Sequence, residues 1–143
     1  MDKVLDRISL TSHTRHLKSV RQFIADVAER GAVPQNLING IMVAVDEAVA
    51  NIMEHAYSAE GGGVIEIEVS VSPERFQIEI SDTGCPFDPS VVPTPDIREH
   101  LAQGRRDGLG IFLIRKIMDE VAFDSPGGRK NHLRMVKYLN KTV

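Results

Sequence analysis

Residues 64 to 72, VIEIEVSVS, alternate apolar and polar positions without a break. Val64 or Ile65, then Ile67, Val69 and Val71, face one way against Glu66, Glu68 and Ser70, the signature of a half-buried strand. RFQIEISD, residues 75 to 82, repeats the pattern with Phe76, Ile78 and Ile80 inward. Ser72–Pro73–Glu74 between the two runs reads as a turn, so they are expected to pair as an antiparallel hairpin. Upstream the period changes from two to between three and four. Leu17, Val20, Phe23, Ile24 and Val27 predict an amphipathic helix from His16 to Arg30, stopped by Gly31. Pro34 suits the first turn of a second helix running to about Tyr57. Its apolar positions Ile38, Ile41, Val45, Ala48, Val49, Ile52 and Ala56 form one broad stripe, and Gly61–Gly63 end the pattern.

The opening KVLDRISLTS has the β-branched character of a first strand. Residues 83 to 107 carry Pro86, Pro89, Pro93 and Pro95 and no clear period, so they are expected to be loop. A loop of that length in a compact domain is a functional lid or a disordered segment. A third helix is predicted from near Leu109 to near Glu120. VAFDS, the turn PGGRKN and HLRMVKYLN then make a closing hairpin. The expected architecture is a two-layer α+β sandwich, residues 1 to 143 as a single domain, with helices on one face of a mixed, mainly antiparallel sheet.

Composition narrows the function classes. The 143 residues, 42% hydrophobic and 26% charged, suit one globular domain with an ordinary core. Cys85 is the sole cysteine, which excludes an intrachain disulfide, and the five histidines are too scattered for a zinc site of usual spacing. No apolar run approaches the ~20 residues of a membrane span. MDKVLDRISLT lacks the apolar core of a signal peptide, so a cytoplasmic location is the expectation. A net charge of −3 argues against direct nucleic-acid binding. The charge is unevenly spread. Between Arg30 and Arg75 there are seven acids and no Lys or Arg, while Arg98, Arg105, Arg106, Arg115 and Lys116 gather later. Such a separation suits a partner contact or a bound anion.

Three stretches can carry chemistry. In VDEAVANIMEHAY, Glu47 and Asn51 are four residues apart and project from one helix face. Their neighbours on that side, Gly40, Val43, Ala44 and Ala50, are small or apolar, which points to enclosure. An enclosed carboxylate and amide need a ligand or internal hydrogen bonds, and either meets the requirement. In SDTGCPFDP, Asp82 at a strand end can accept from an exocyclic amine, beside a backbone that Gly84 lets a neighbour approach closely; a plain strand-to-turn junction has the same spelling. Cys85 beside it reads as a small buried hydrophobe. In GRRDGLGIFLIRK, Gly104, Gly108 and Gly110 precede a helix whose first N–H groups could hold phosphate, or they form a hinge. Arg105 and Arg106 could reach a phosphate or stand in solvent. Neither GxxxxGK[ST] nor a dinucleotide fingerprint is present.

The order Glu-x-x-x-Asn on a helix, Asp-x-Gly at a strand end, a lid, and Gly-Leu-Gly opening a helix resembles the GHKL (Bergerat-fold) ATPase superfamily. Within it, the chain is most similar to the small anti-sigma factor serine-protein kinases of bacteria. DEAVANIMEHAY resembles their N-box, DTGCPFDP their G1 box and GLGIFLIRKIMDEV their G2 box. The resemblance implies ATP and Mg²⁺ as cofactors, with Asn51 as the Mg²⁺ ligand and Glu47 as the catalytic carboxylate. It implies Asp82 as the adenine-reading acid with Gly84 beside it, and Gly108, Leu109 and Gly110 as phosphate-side backbone. Arg105 or Arg106 would stabilise γ-phosphoryl charge, and His55, one turn past Asn51, could touch phosphate. Pro86 stands where the wider superfamily has a second glycine, a departure shared by the anti-sigma branch. The implied function is a homodimeric regulator of transcription under stress. It would bind a sigma factor and phosphorylate a Ser or Thr of an anti-sigma factor antagonist protein. A nucleotide-gated partner-binding module of the same fold, without kinase activity, is the alternative. TSHTRHL, residues 11 to 17, has a faint likeness to the phosphoacceptor box of histidine kinases. One helix fills most of the span from His16 to Glu47, so His13 and His16 are expected to be surface residues at a strand–helix junction.

Overall fold

A computed structural model describes residues 4–53, 63–83, 109–124 and 130–139. β1 (Val4–Thr11) enters a short 3-10 turn (Thr14–His16), followed by α1 (Leu17–Arg30) and α2 (Gln35–Asn51). β2 (Val64–Val71) and β3 (Arg75–Asp82) come next, then α3 (Leu109–Ile117), β4 (Glu120–Asp124) and β5 (Asn131–Tyr138). The strands form one sheet in the order β1-β2-β3-β5-β4. All four pairings are antiparallel among the described residues, so the parallel pairing that a mixed sheet would contain does not occur there. The helices cover one face, and the expected two-layer α+β sandwich is the observed one.

The period-two runs behave as their pattern dictates. Ile65, Ile67, Val69 and Val71 of β2 and Phe76, Ile78 and Ile80 of β3 are fully buried, whereas Val64 is half exposed. Leu133 and Met135 extend this apolar layer into β5. Against it lie Val20, Ile24, Val27 and Ala28 of α1 and Ile41, Ala44, Val45, Ala48 and Val49 of α2. Each large side chain buried this way contributes about 1.5–3 kcal/mol of transfer free energy. The other sheet face stays open and polar, carrying Arg7, Glu66, Glu68, Glu79, His132 and Arg134.

Four local details depart from the sequence expectation. Gly31 does follow the last residue of α1, but its φ is −83°, an ordinary value. The left-handed residue is Ala32 (φ 56°), and the turn closes with Gly31 N–H donating to the Val27 carbonyl and Val33 N–H to that of Ala28, both at 2.9 Å. Glycine is required at 31 for space, because a Cβ there would lie 2.6 Å from Val71 Cγ1. Pro34 caps α2 from outside, its carbonyl accepting from Leu37 N–H at 2.9 Å. α3 stops at Ile117, three residues short of Glu120, because Asp119 N–H turns to the Val136 carbonyl (2.8 Å) and Glu120 joins β5 in a ladder. Asn131, expected in a turn, is instead the first residue of β5.

α2 and α3 pack more extensively than any other helix pair. Gly40 allows the approach: a Cβ there would stand 3.2 Å from Ile117 Cγ2. Lys137 Nζ donates to the Ile117 carbonyl at 2.8 Å and ties the C-terminal end of α3 beside the far end of β5. The C-terminal end of α3 thus lies by Val136 and Lys137, at the opposite end of β5 from Asn131 and its partner Asp82.

Candidate active site

Glu47 and Asn51 occupy the last two turns of α2, beside the buried alanines Ala44 and Ala48. Ala44, expected on the polar side with them, is fully buried and belongs to the core stripe, and Val43 is 41% exposed. The reason is geometric. The apolar stripe of α2 is wide enough, packed by the sheet below and α3 beside, to take in position 44. Enclosure is thus incomplete along this face and increases towards its C-terminal end. Glu47 and Asn51 are both half-buried. The Asn51 side-chain nitrogen, however, is fully buried and has no hydrogen-bond partner among the described residues. A buried amide left so costs about 1–3 kcal/mol, which native folds rarely tolerate without a functional return.

That orphaned amide also tests whether the residues present fit a magnesium ion. The Asn51 group is a short, neutral amide on a rigid helix, and its oxygen is a hard donor of the kind Mg²⁺ accepts. Its nitrogen makes no hydrogen bond to the described residues. The donor set fits: Asn51 would hold the ion, and Glu47 stands one turn before it as a carboxylate.

Asp82 is the last residue of β3 and points into the helix-covered face, one pleat beyond Ile80. It is 4% exposed. Directly across the ladder Asn131 is 3% exposed, and its Nδ2 donates to Asp82 Oδ1 at 2.9 Å. The inward row of the sheet at this level runs Leu10, Ile65, Asp82, Asn131, so two buried polar residues end an otherwise apolar layer. Asn131 escaped the sequence reading because PGGRKN is strong turn chemistry. The available signal was the inward alternation Asn131, Leu133, Met135.

Two further contacts brace the site. Arg21 of α1 grips Asp46 with both ends of its guanidinium, Nε to Oδ1 at 2.7 Å and Nη2 to Oδ2 at 3.1 Å. This bidentate pair fixes α1 to the turn of α2 that bears Glu47. Buried Ser12 and Gly63 exchange bonds: Ser12 N–H donates to the Gly63 carbonyl (2.9 Å), and Gly63 N–H donates to Ser12 Oγ (3.0 Å). They clamp the chain where it returns to β2. His13 and His16 sit at the strand–helix junction as expected. His13 Nδ1 accepts from Arg15 N–H at 3.0 Å, a local turn contact.

Leu109 and Gly110 form the first turn of α3. His55, Gly84, Cys85, Arg105, Arg106, Gly108 and the expected lid, about 85–107, lie outside the described residues. So do residues 54 to 57, where the second helix was expected to continue. Among the described residues no group of three His, Cys, Asp or Glu side chains could hold a metal, and no helix is long and apolar enough to cross a membrane.

Comparison with known proteins meets this geometry from outside. The family description "Histidine kinase-like ATPase domain" matches residues 10–137. The serine-protein kinase RsbW of Listeria monocytogenes serovar 1/2a is 28% identical over 138 residues, covering 94% of this chain and 87% of that protein. The serine-protein kinase RsbW of Staphylococcus aureus is 33% identical over 132 residues, covering 88% and 81%. Among solved structures, the RsbU and RsbW domains of Rv1364c from Mycobacterium tuberculosis superpose with a TM-score of 0.64 at 14% identity, over 98% of this chain and 34% of that one. The histidine kinase domain of the blue-light activated kinase from Erythrobacter litoralis EL346 superposes with a TM-score of 0.55 at 20% identity, over 87% and 60%. These two superpositions carry the fold alone. With the family match spanning nearly the whole chain and the Staphylococcus relative above 30% identity, this protein belongs to the RsbW serine-protein kinase family of histidine kinase-like ATPase domains.

Proposed function

We propose that the protein is an ATP-dependent anti-sigma factor that phosphorylates a Ser or Thr of a small antagonist protein. The observation that carries this reading is the buried side-chain nitrogen of Asn51, without a hydrogen-bond partner among the described residues, one helical turn beyond Glu47. A fold that held a partner without any nucleotide would have no need of it. The relatives' name, serine-protein kinase, supplies the acceptor class.

In this reading Asp82 accepts the exocyclic amine of adenine, and the phosphates reach the N-terminal turn of α3, whose free N–H groups favour anions. Asn51 would hold Mg²⁺ through its side-chain oxygen. Magnesium, when bound, supplies charge neutralisation on the phosphates. The acceptor hydroxyl oxygen bonds to the γ-phosphorus as the bond to the β–γ bridging oxygen breaks. ADP leaves with that electron pair, and Glu47 takes the hydroxyl proton. Gly84, Gly108, Arg105, Arg106 and His55 complete the pocket around base and phosphates. A sigma factor as bound partner, α1 and the early part of α2 as the surface it meets, and a homodimeric state belong to the same proposal.

The test is a transfer assay with Mg²⁺, γ-labelled ATP and a small antagonist-like protein encoded beside this one. Wild type should label that protein, and Glu47→Ala should lose labelling by a factor of 10² or more while still binding ATP, on the order expected for removing a general base. Nucleotide binding without labelling by wild type would leave a nucleotide-gated binding module. Absence of nucleotide binding would remove both.

A further inference from the structure

The pair Asp82–Asn131 is an unusual use of sheet interior. Asn is depleted in strands, and the neighbouring inward positions on the same two strands are Ile78, Ile80, Leu133 and Met135. Two apolar residues there would continue the layer and hold the strands at least as well, because a buried hydrogen-bonded pair replaced by apolar groups of similar shape is nearly neutral or stabilising. Stability therefore does not explain the pair. Its position does: it closes the layer at the end of β3, where the carboxylate assigned to the base stands.

We propose that Asn131 is a positioning residue that makes Asp82 selective for adenine over 6-oxo purines. The proposal rests on the reading of Asp82 as the adenine-recognising acid. A carboxylate turns readily about its terminal torsion, whose energy wells are broad. The 2.9 Å bond from Asn131 Nδ2 occupies Oδ1 and helps to hold the plane of the group. A fixed acceptor rewards the exocyclic amine of adenine and opposes the carbonyl that guanine and hypoxanthine place there. A carboxyl that loses this donor is held less firmly and can turn or recruit water. Each of these accommodates the wrong base. Sites built to pair a polar group reject analogues strongly only while their own groups are held in place.

The experiment measures dissociation constants for ATP and inosine triphosphate, with Mg²⁺, by titration calorimetry on the full chain. Asn131→Leu and Asn131→Ala should each shrink the preference for ATP about tenfold, the equivalent of one net hydrogen bond of about 1.4 kcal/mol, mainly through weaker ATP binding. Asn131→Thr, which keeps a donor and suits a strand, should restore most of the preference. Should Asn131→Leu not fold, Asn131→Ala reads the same ratio without added bulk. Equal weakening of both nucleotides would assign Asn131 a merely structural role and overturn the proposal, as would an unchanged ratio. Asp82→Asn separates the two levels. If it too leaves the ratio unchanged, the reading of Asp82 itself fails; if it abolishes the preference while the Asn131 variants do not, only the role of Asn131 fails.

Discussion

At the scale of single residues, the site holds groups that the fold alone would not choose. Asn51 buries an amide nitrogen with no partner among the described residues, on a helix whose buried positions are otherwise Ile41, Ala44, Val45, Ala48 and Val49. Removing that amide should relieve the cost. Asn51→Leu is expected to raise the stability of the nucleotide-free protein by about 1 kcal/mol while abolishing Mg²⁺-dependent ATP binding. Thermal unfolding with and without Mg²⁺–ATP checks both halves. A variant that melts lower without nucleotide would show that the amide is internally satisfied. At this scale Glu47, Asn51 and Asp82 could be named as candidates because each stands in a short local pattern. Asn131 was not, because its meaning depends on a residue 49 positions away.

Among elements, junctions matter more than lengths. The α1–α2 turn is tight because Gly31 sits against Val71 on β2, so the first helix pair is seated on the sheet through one missing side chain. Gly31→Ala should destabilise by about 1–3 kcal/mol through overpacking, and Val71→Ala in the same chain should recover part of that loss. Denaturant midpoints of the two singles and the double give the coupling directly; strict additivity would refute the contact. α3 shows the complementary lesson. GLGIFLIRKIMDE has helical periodicity up to Glu120, yet the helix ends at Ile117 because Asp119 and Glu120 are captured by β5. Local propensity is worth tenths of a kcal/mol per residue, less than a strand pairing with its side chains buried.

Over the whole molecule, the helical layer is tied to the edge of the sheet by charge as well as by the core. Arg30, the last residue of α1, pairs with Asp6 on β1 and with Asp26 one turn back. The Arg30 side-chain hydrogen bond is the main reason the Asp6 carboxyl is held below its ordinary range, helped by the Arg7 N–H. A carboxyl whose folded value is depressed adds stability that is present above its unfolded value and lost as pH falls through the folded one. The difference in melting temperature between wild type and Asp6→Asn should therefore be constant above about pH 5 and disappear on acidification below about pH 4. It should also shrink in high salt, since both partners are exposed. A difference that grows on acidification would contradict this assignment.

Periodicity alone determined the element types and the inward faces of β2 and β3, because apolar side chains every second or every third to fourth residue can be buried together in only one backbone geometry. Motif order was also local information, and it carried the family and the choice of Glu47, Asn51 and Asp82 as candidates. Only tertiary structure decided that β5 inserts between β3 and β4, and so that Asn131 faces Asp82. It likewise decided that Gly31 is a space requirement set by Val71, and that α3 yields its last turn to a strand. Each of these turns on which distant segment lies alongside, a choice made by burying shared apolar surface across the whole sheet, which no short window of sequence contains.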